Sequence, residues 1–520
     1  MGEPPIELDV TAVADRADFE PVPARFWWLK RISAAVGVLI VALAVLRGVW
    51  GYLAQRRLDA QIEEYRAAGQ FVTPEQFDAE LDAVQDADNA AVLLEQAIQK
   101  IVACTDAGVC YEDFLYEKAN LNDDRSAAAE LLALNKEVLD LGRQSRSRPQ
   151  VAWSVRLSNP APGTLLSQQR QLAKLLGFAA AYHFESGDHA GAVTTLQDFL
   201  AFNAVVGAHP TLISSLVAWA CEDMSLLLVT EYGACLTISD TGEAFATGAI
   251  PSRRSQVKEL LGDLLVAHPM MEKTVRVFYA ERTYSLRELE KMRYAIWLSA
   301  PIPARWSPIN LWDDGIAFLM RPAFSLDTAR SITYDTIAAE AVGEANWPAA
   351  AAHFPEPQDG SLLLRKLSHP LTATWFGTGF DTNRRAVEIY FRLMAQRRMA
   401  AIALAIRLYE VDHGHRPAQL AALVPNYLPN VPVDPFTPDG RPFGYRPLAE
   451  RPLLYSVGVD GVDNGGQASG WKDERPDWQD ADILFYLEPE PEPGADAVDR
   501  DASTPEAGDD DEHVEDGERE

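Results

Sequence analysis

Four cysteines in 520 residues, none at the spacing of metal ligands, give no hint of a zinc ribbon or finger. Clustered basic residues are missing too. With 46 Lys and Arg against 76 Asp and Glu the formal charge is −30, and duplex binding draws its affinity from neutralising phosphates with grouped cations, so nucleic acid is not an expected partner. The sequence also has no phosphate-cradling glycine loop, no dinucleotide fingerprint and no nucleophile elbow. Nothing in it points to an enzyme. The nine histidines are scattered singly apart from "HGH" at His413 to His415, whose place at a helix stop suits a positive cap on the helix dipole better than a metal site.

What is present is apolar material, 48% of the chain, enough for two or three domains. The longest apolar run, Ile32 to Leu53, holds one charge, Arg47. At ~1.5 Å per residue it makes a helix of about 33 Å, matching a hydrocarbon core of ~30 Å. Trp27 and Trp28 at one end and Trp50 and Tyr52 at the other stand where amphipathic rings prefer the two interfaces. Arg47 lies near enough to one end to snorkel outward. A cleaved signal peptide is the competing reading, with small residues at "VALA", but its leading segment would be unusually long and acidic. Arg25, Lys30 and Arg31 flank the start of the run and favour an N-terminus inside. The expected location is the inner (cytoplasmic) membrane, crossed once, with the bulk of the chain on the extracytoplasmic, periplasmic side. In that oxidising setting Cys104 with Cys110 and Cys221 with Cys235 could close two short loops; buried free thiols are the alternative.

From about Thr73 to His268 apolar residues recur at three and four positions. Leu172, Leu175, Leu176, Ala179, Ala180 and His183 trace one stripe, Gly187 stops it, and Val193, Leu196, Phe199 and Leu200 trace the next. This spacing predicts antiparallel helices joined by "ESGDHA", with a third after Pro210. Gly187 and Ala192 sit where a tetratricopeptide unit carries Gly and Ala, so the stretch resembles one such unit without a second copy. From Ala300 to Asp381 the pattern loosens into "PIPARWSPINLW" and "NWPAAAAHFPEPQDGS", read as loops with short helices, packed down by Trp306, Trp312, Trp347 and Trp375.

A long amphipathic helix follows, capped by Thr382 or Asn383, with Val387, Phe391, Met394, Ala401, Ala405 and Leu408 as its buried stripe and Gly414 as its end. "PFGYRP", "PLLYSVG" and "DILFYL" read as three strands. "LLYSVGVDGVDNGG" then sets glycines among Asp and Asn oxygens, a pattern that suits a tight turn or a hard cation. The order "YEVDHGHRP", "LVPNYLPNVPVDPF", "GYRP", "LYSVGVDG" and "DADI" resembles the C-terminal part of the major pseudopilin of the type II secretion system, over about Arg384 to Leu487. The resemblance implies a long helix with a short antiparallel sheet and one bound calcium ion. Carried over, it implies Asp460 as a side-chain ligand, the Val457 and Val462 carbonyls beside it, and Asp480 or Asp482 completing the shell. The insertion "QASGWKDERPDWQ" departs from that family's pattern, and Arg392, Arg397 and Arg398 keep the long helix out of lipid. Beyond Leu487 come fifteen acids against two arginines, a self-repelling tail expected to be disordered.

The expectation is therefore a mainly α chain: a cytoplasmic tail at 1–31, a transmembrane helix at 32–53, a helical-hairpin domain at 55–300, a loop-rich connector at 301–380, a small α+β pseudopilin-like module at 381–487 and an acidic tail at 488–520. Its expected role is that of an anchored interaction or scaffold protein with protein partners. The alternatives are an accessory part of a type II secretion or pilus-like assembly, or an enzyme with an unrecognised site.

Overall fold

In a computed structural model the chain is described over residues 26–116, 124–159, 164–245, 248–266, 268–298, 308–354, 379–467, 478 and 482–488. The N-terminal tail and the acidic tail lie outside these residues. The fold is mainly helical. Helix α1 (Trp27–Ala67) runs unbroken for 41 residues, well past the apolar run that starts it. Its first half exposes Val38, Leu39, Ile40 and Leu46 to the surroundings, whereas Ala54 and Leu58 are buried. It is followed by the short helices α2 (Pro74–Asp82), α3 (Ala90–Ile98), α4 (Tyr111–Tyr116), α5 (Arg125–Leu134) and α6 (Lys136–Ser145). Local chemistry starts two of them: Gln76 closes a capping box on Thr73, and Asn89 accepts from the Ala91 amide.

The helical hairpin is α7 (Thr164–Glu185) and α8 (His189–Val206), with α9 (Leu212–Tyr232) laid against both. Both expected stripes are buried apart from His183, which turns outward and pairs with Asp188 at 2.9 Å. Gly187 ends the first helix at φ 76°, a left-handed backbone that glycine adopts without steric cost. Strands β1 (Ile238–Ser239) and β2 (Ser252–Arg253) pair in parallel and lead into α10 (Arg254–Leu265) and α11 (His268–Leu298).

Residues 301–307 and 355–378 of the expected loop-rich connector lie outside the described residues, and the part between them is instead mostly one helix, α12 (Pro308–Val342), 35 residues long with Pro322 inside it. It packs along α11 and along the second half of α1, where Leu58 meets Ala329 and Ile332. Its prolines and tryptophan read as loop signals in isolation, but long-range packing over three helices outweighs a local preference worth about 3 kcal/mol. Of the four tryptophans, Trp347 opens α13 (Trp347–Ala352) and is buried against Phe391, with ring centroids 6.2 Å apart. Trp306 and Trp375 lie outside the described residues, as does the side chain of Trp312.

The last helix, α14 (Gly379–His413), starts before the expected caps, so Asn383 lies inside it and donates to Asp335 Oδ1 at 2.8 Å. The whole expected stripe is buried, and so is the continuous run Met399 to Ile406. A helix covered on every side is a central helix, and α14 contacts α9, α10 and α12 as well as the sheet. Gly414 at φ 74° ends it, its amide bonding the Glu410 carbonyl. Strands β3 (Gly444–Arg446), β4 (Leu453–Ser456) and β5 (Ile483–Tyr486) form the expected antiparallel sheet in the order β3-β4-β5. One continuous core joins this sheet to the helical domain.

The two cysteine pairs part company. Cys104 and Cys110 form a disulfide. Cys221 and Cys235 do not: Cys221 is buried in α9 and Cys235 is exposed in the turn after it. Fourteen residues of nearly continuous helix set them about 20 Å apart along the axis, far beyond disulfide reach.

Candidate functional site: the glycine and aspartate loop

The loop after β4 is built on its glycines. Gly458, Gly461, Gly465 and Gly466 all have φ between 68° and 76°. At Gly466 a side chain would also press within 3.1 Å of Leu453 and Tyr455, so the loop folds tightly over the strand it leaves. Across the sheet Gly444 is equally constrained, because the Tyr455 ring crosses the space a Cβ would fill.

The acidic side chains are spent first on the backbone. Asp460 accepts from the Val462 amide at 3.0 Å, and Asp463 accepts from the Gly465 amide and the Tyr455 hydroxyl. Asp482, which is buried, holds the Asn464 amide on one oxygen and the Gly466 amide on the other, at 3.2 and 2.6 Å. It thereby ties β5 to the loop. Burial pushes its carboxyl up from the usual range, and the charges of Asp463 and Asp460 push it further. Of the residues implied by the pseudopilin resemblance, Asp460, Val457, Val462 and Asp482 share this loop and the strand edge beside it; Asp480 lies outside the described residues.

Among the described residues no three His, Cys, Asp or Glu side chains converge as a metal-binding group. The donor chemistry nonetheless fits a hard cation. Each capped carboxylate accepts at about four positions and spends only one or two of them here, and mutually repelling carboxylates are what calcium relieves.

Asp434 of "DPF", read from the sequence as a simple turn, does more. Its buried carboxylate accepts from the Phe436 amide, the Ser456 hydroxyl and the Val457 amide, each at 2.9 Å. It thus locks the segment before the sheet onto the end of β4 exactly where the glycine loop begins. Its short spacing to a proline showed a turn; its partners, 22 and 23 residues on, had no local signal.

Two other histidine arrangements serve the fold. His413 Nδ1 donates to the Tyr409 carbonyl at 3.0 Å and its ring stacks on Tyr409, as a helix cap would. His209 bonds Ser214 and Thr211 through Nδ1 at 3.1 and 3.3 Å, but all this lies buried at the start of α9, and desolvation brings the His209 pKa down to about 4. Compared with known family models, curated proteins and solved structures, the chain has no match.

Proposed function

We propose that this chain is a membrane-anchored, extracytoplasmic interaction or scaffold protein whose terminal pseudopilin-like module binds calcium. The observation that carries the anchoring is the two-faced course of α1. Its first half is apolar and exposed, and no buried residue precedes Ala54. The second half then packs on α12 with no break between them. A helix of 41 residues is about 60 Å long, roughly twice the hydrocarbon thickness, so half of it stands outside the lipid. A body joined in this way is held at a fixed height above the bilayer, which suits a scaffold better than a tethered, freely moving domain.

The anchoring is tested by fusing a reporter active only outside the cytoplasm after Ala67. Activity is the expected result; a signal confined to the cytosol overturns the placement. Affinity capture from solubilised membranes addresses the role, and enrichment of a secretion ATPase together with pseudopilins would replace the scaffold reading by that of an accessory component. For calcium, millimolar CaCl2 added to the full-length protein should raise its melting temperature, and Asp460→Ala should abolish the rise.

A further inference from the structure

Helix α12 runs parallel to α1 in a constant register. Thr333 meets Gln61 and Thr336 meets Tyr65, 272 and 271 positions apart, through hydrogen bonds of 3.0 and 3.1 Å. The same spacing brings Pro322 to Gly51, where a Cβ on the glycine would lie 3.8 Å from the proline ring. Gly51 stands inside the apolar run of α1, close to its end at Leu53. The part of α12 before Pro322 therefore continues toward the height at which α1 is apolar and exposed. It does not lie against α1 there, since every residue of α1 from Trp27 to Leu46 is exposed. Pro322 cannot donate to the Phe318 carbonyl, and so lets the helix bend away without reversing it. About 20 Å of α12, from Pro308 to Arg321, is thus set at the level of the apolar run and splayed from it.

Helix α11 accompanies it in the opposite direction. Leu286 joins Leu58, Ala329 and Ile332 in one cluster, so the remaining turns of α11, to Leu298, run about 18 Å toward the same level. By this count Tyr294 and Trp297 come level with Trp50 and Arg47 of α1, at the end of the run where interfacial rings belong. The splayed turns of α12 are two-sided in sequence. On a helix of 3.6 residues per turn all four of their polar residues, Asn310, Asp313, Asp314 and Arg321, fall within roughly 100° of arc, and Leu319 stands opposite, flanked by Trp312 and Ile316. Leu319 is 56% exposed. An amphipathic helix with a tryptophan on its apolar side suits the plane of a membrane interface, and Asp313 and Asp314 keep these turns out of the bilayer centre.

We propose that the first half of α12, with the end of α11, is a second membrane-contacting element. It lies obliquely in the extracytoplasmic interface beside α1, with the arc around Leu319 among the acyl chains and the polar arc toward the head groups. The occupant of the exposed apolar arc is lipid. The inference rests on the anchored reading of α1 and adds to it, because a second contact fixes the rotation of the body about the α1 axis as well as its height.

The test uses the full-length protein with Cys235→Ser, so that an introduced cysteine is the accessible thiol. The protein is placed in nanodiscs of phosphatidylcholine and phosphatidylglycerol, with and without lipid carrying a nitroxide high on the acyl chain. A nitrobenzoxadiazole label on Leu39→Cys reports the anchor, on Leu319→Cys the proposed contact, and on Leu448→Cys, 96% exposed between β3 and β4, the body. Nitroxide lipid should quench the first two labels by at least about twofold and leave the third unchanged. Along α12 the label on Ile316→Cys should be quenched more than those on Asn310→Cys and Asp314→Cys, following the helical period. Quenching on Leu39→Cys without quenching on Leu319→Cys overturns this proposal and leaves the anchor standing; a blue-shifted emission there would assign the face to protein instead. Absence of quenching on Leu39→Cys overturns the anchor and this inference together. Equal quenching of the Ile316→Cys and Asn310→Cys labels overturns the oblique placement.

Discussion

Among the described residues two helices are long and apolar enough to cross a membrane, α1 and the segment Leu212–Cys235 that contains α9. Composition separates them in degree, with a mean hydropathy of 2.4 against 1.6. Their surroundings separate them in kind: the most apolar window of α1 is 0% buried, whereas that of α9 is 61% buried. The α9 segment carries Glu222 and Asp223 among its apolar residues, and both find partners on α14, in Arg397 and Gln396. The same hydrophobic effect covers α9 with protein, while the first half of α1 keeps an exposed apolar surface and is a candidate membrane span.

The strongest way to break that contrast is to place a carboxylate in each helix. Leu226→Asp in α9 buries an unpaired charge where Leu226 is 3% exposed, and should cost more than about 4 kcal/mol, abolishing the cooperative thermal transition. Leu43→Asp in α1 should leave the melting of the body unchanged and instead cost about 2.5–3.5 kcal/mol of insertion free energy, read as a larger soluble fraction on membrane fractionation.

A sharper probe is the docked C-terminal end of α1. There Arg282 is fully buried, lies over the Tyr65 ring at 3.9 Å and donates to Gln70 Oε1, the Phe71 carbonyl and Thr336 Oγ1. Arg282→Ala should cost about 3–5 kcal/mol, visible as a fall in the denaturation midpoint and as new protease sensitivity near Ala67.

Near it, burial pushes the Asp335 carboxyl up to about 8, with Glu281 adding to the rise and Asn383 and Arg282 opposing it. Because the folded value lies above the unfolded one, the folded protein holds a proton that the unfolded chain gives up. This contribution to stability is complete below about pH 4 and is lost as pH rises through about 8. Glu281, also raised by desolvation, has the same sign. Asp335→Asn should flatten the pH dependence and be more stable than the parent by about 1–3 kcal/mol at pH 9, with little difference at pH 4.

The smallest expected effect concerns the thiols. Reducing Cys104–Cys110 opens a short loop and should cost about 1–2 kcal/mol, measured as a lower melting temperature under reductant. In the native protein a thiol reagent should label Cys235 at once and Cys221 only on unfolding. Equal protection of both would contradict the geometry of α9.

Legibility followed the range of the interactions. The stripes of α7, α8 and α14, the glycine stops at Gly187 and Gly414, and the three terminal strands were readable because each is a local pattern of side chains. Helix α12 was not, since its Pro322 and Trp312 argue locally for loops while its stability comes from α1 and α11. Of the candidate loop, the turn chemistry of Asp460 was visible, but the tie from Asp482 back to Gly466 and the lock at Asp434 span 16 to 23 residues and left no periodic trace.

The sequence by itself determined the apolar start of α1, the helical periods, the left-handed glycines and the scarcity of basic clusters, because each follows from a residue and its near neighbours. Only the tertiary structure decided that α9 is a core helix, that Cys221 and Cys235 stay apart and that α14 stands at the centre. Those outcomes depend on contacts between segments far apart in the chain, where burial and charge pairing are settled by what each surface meets.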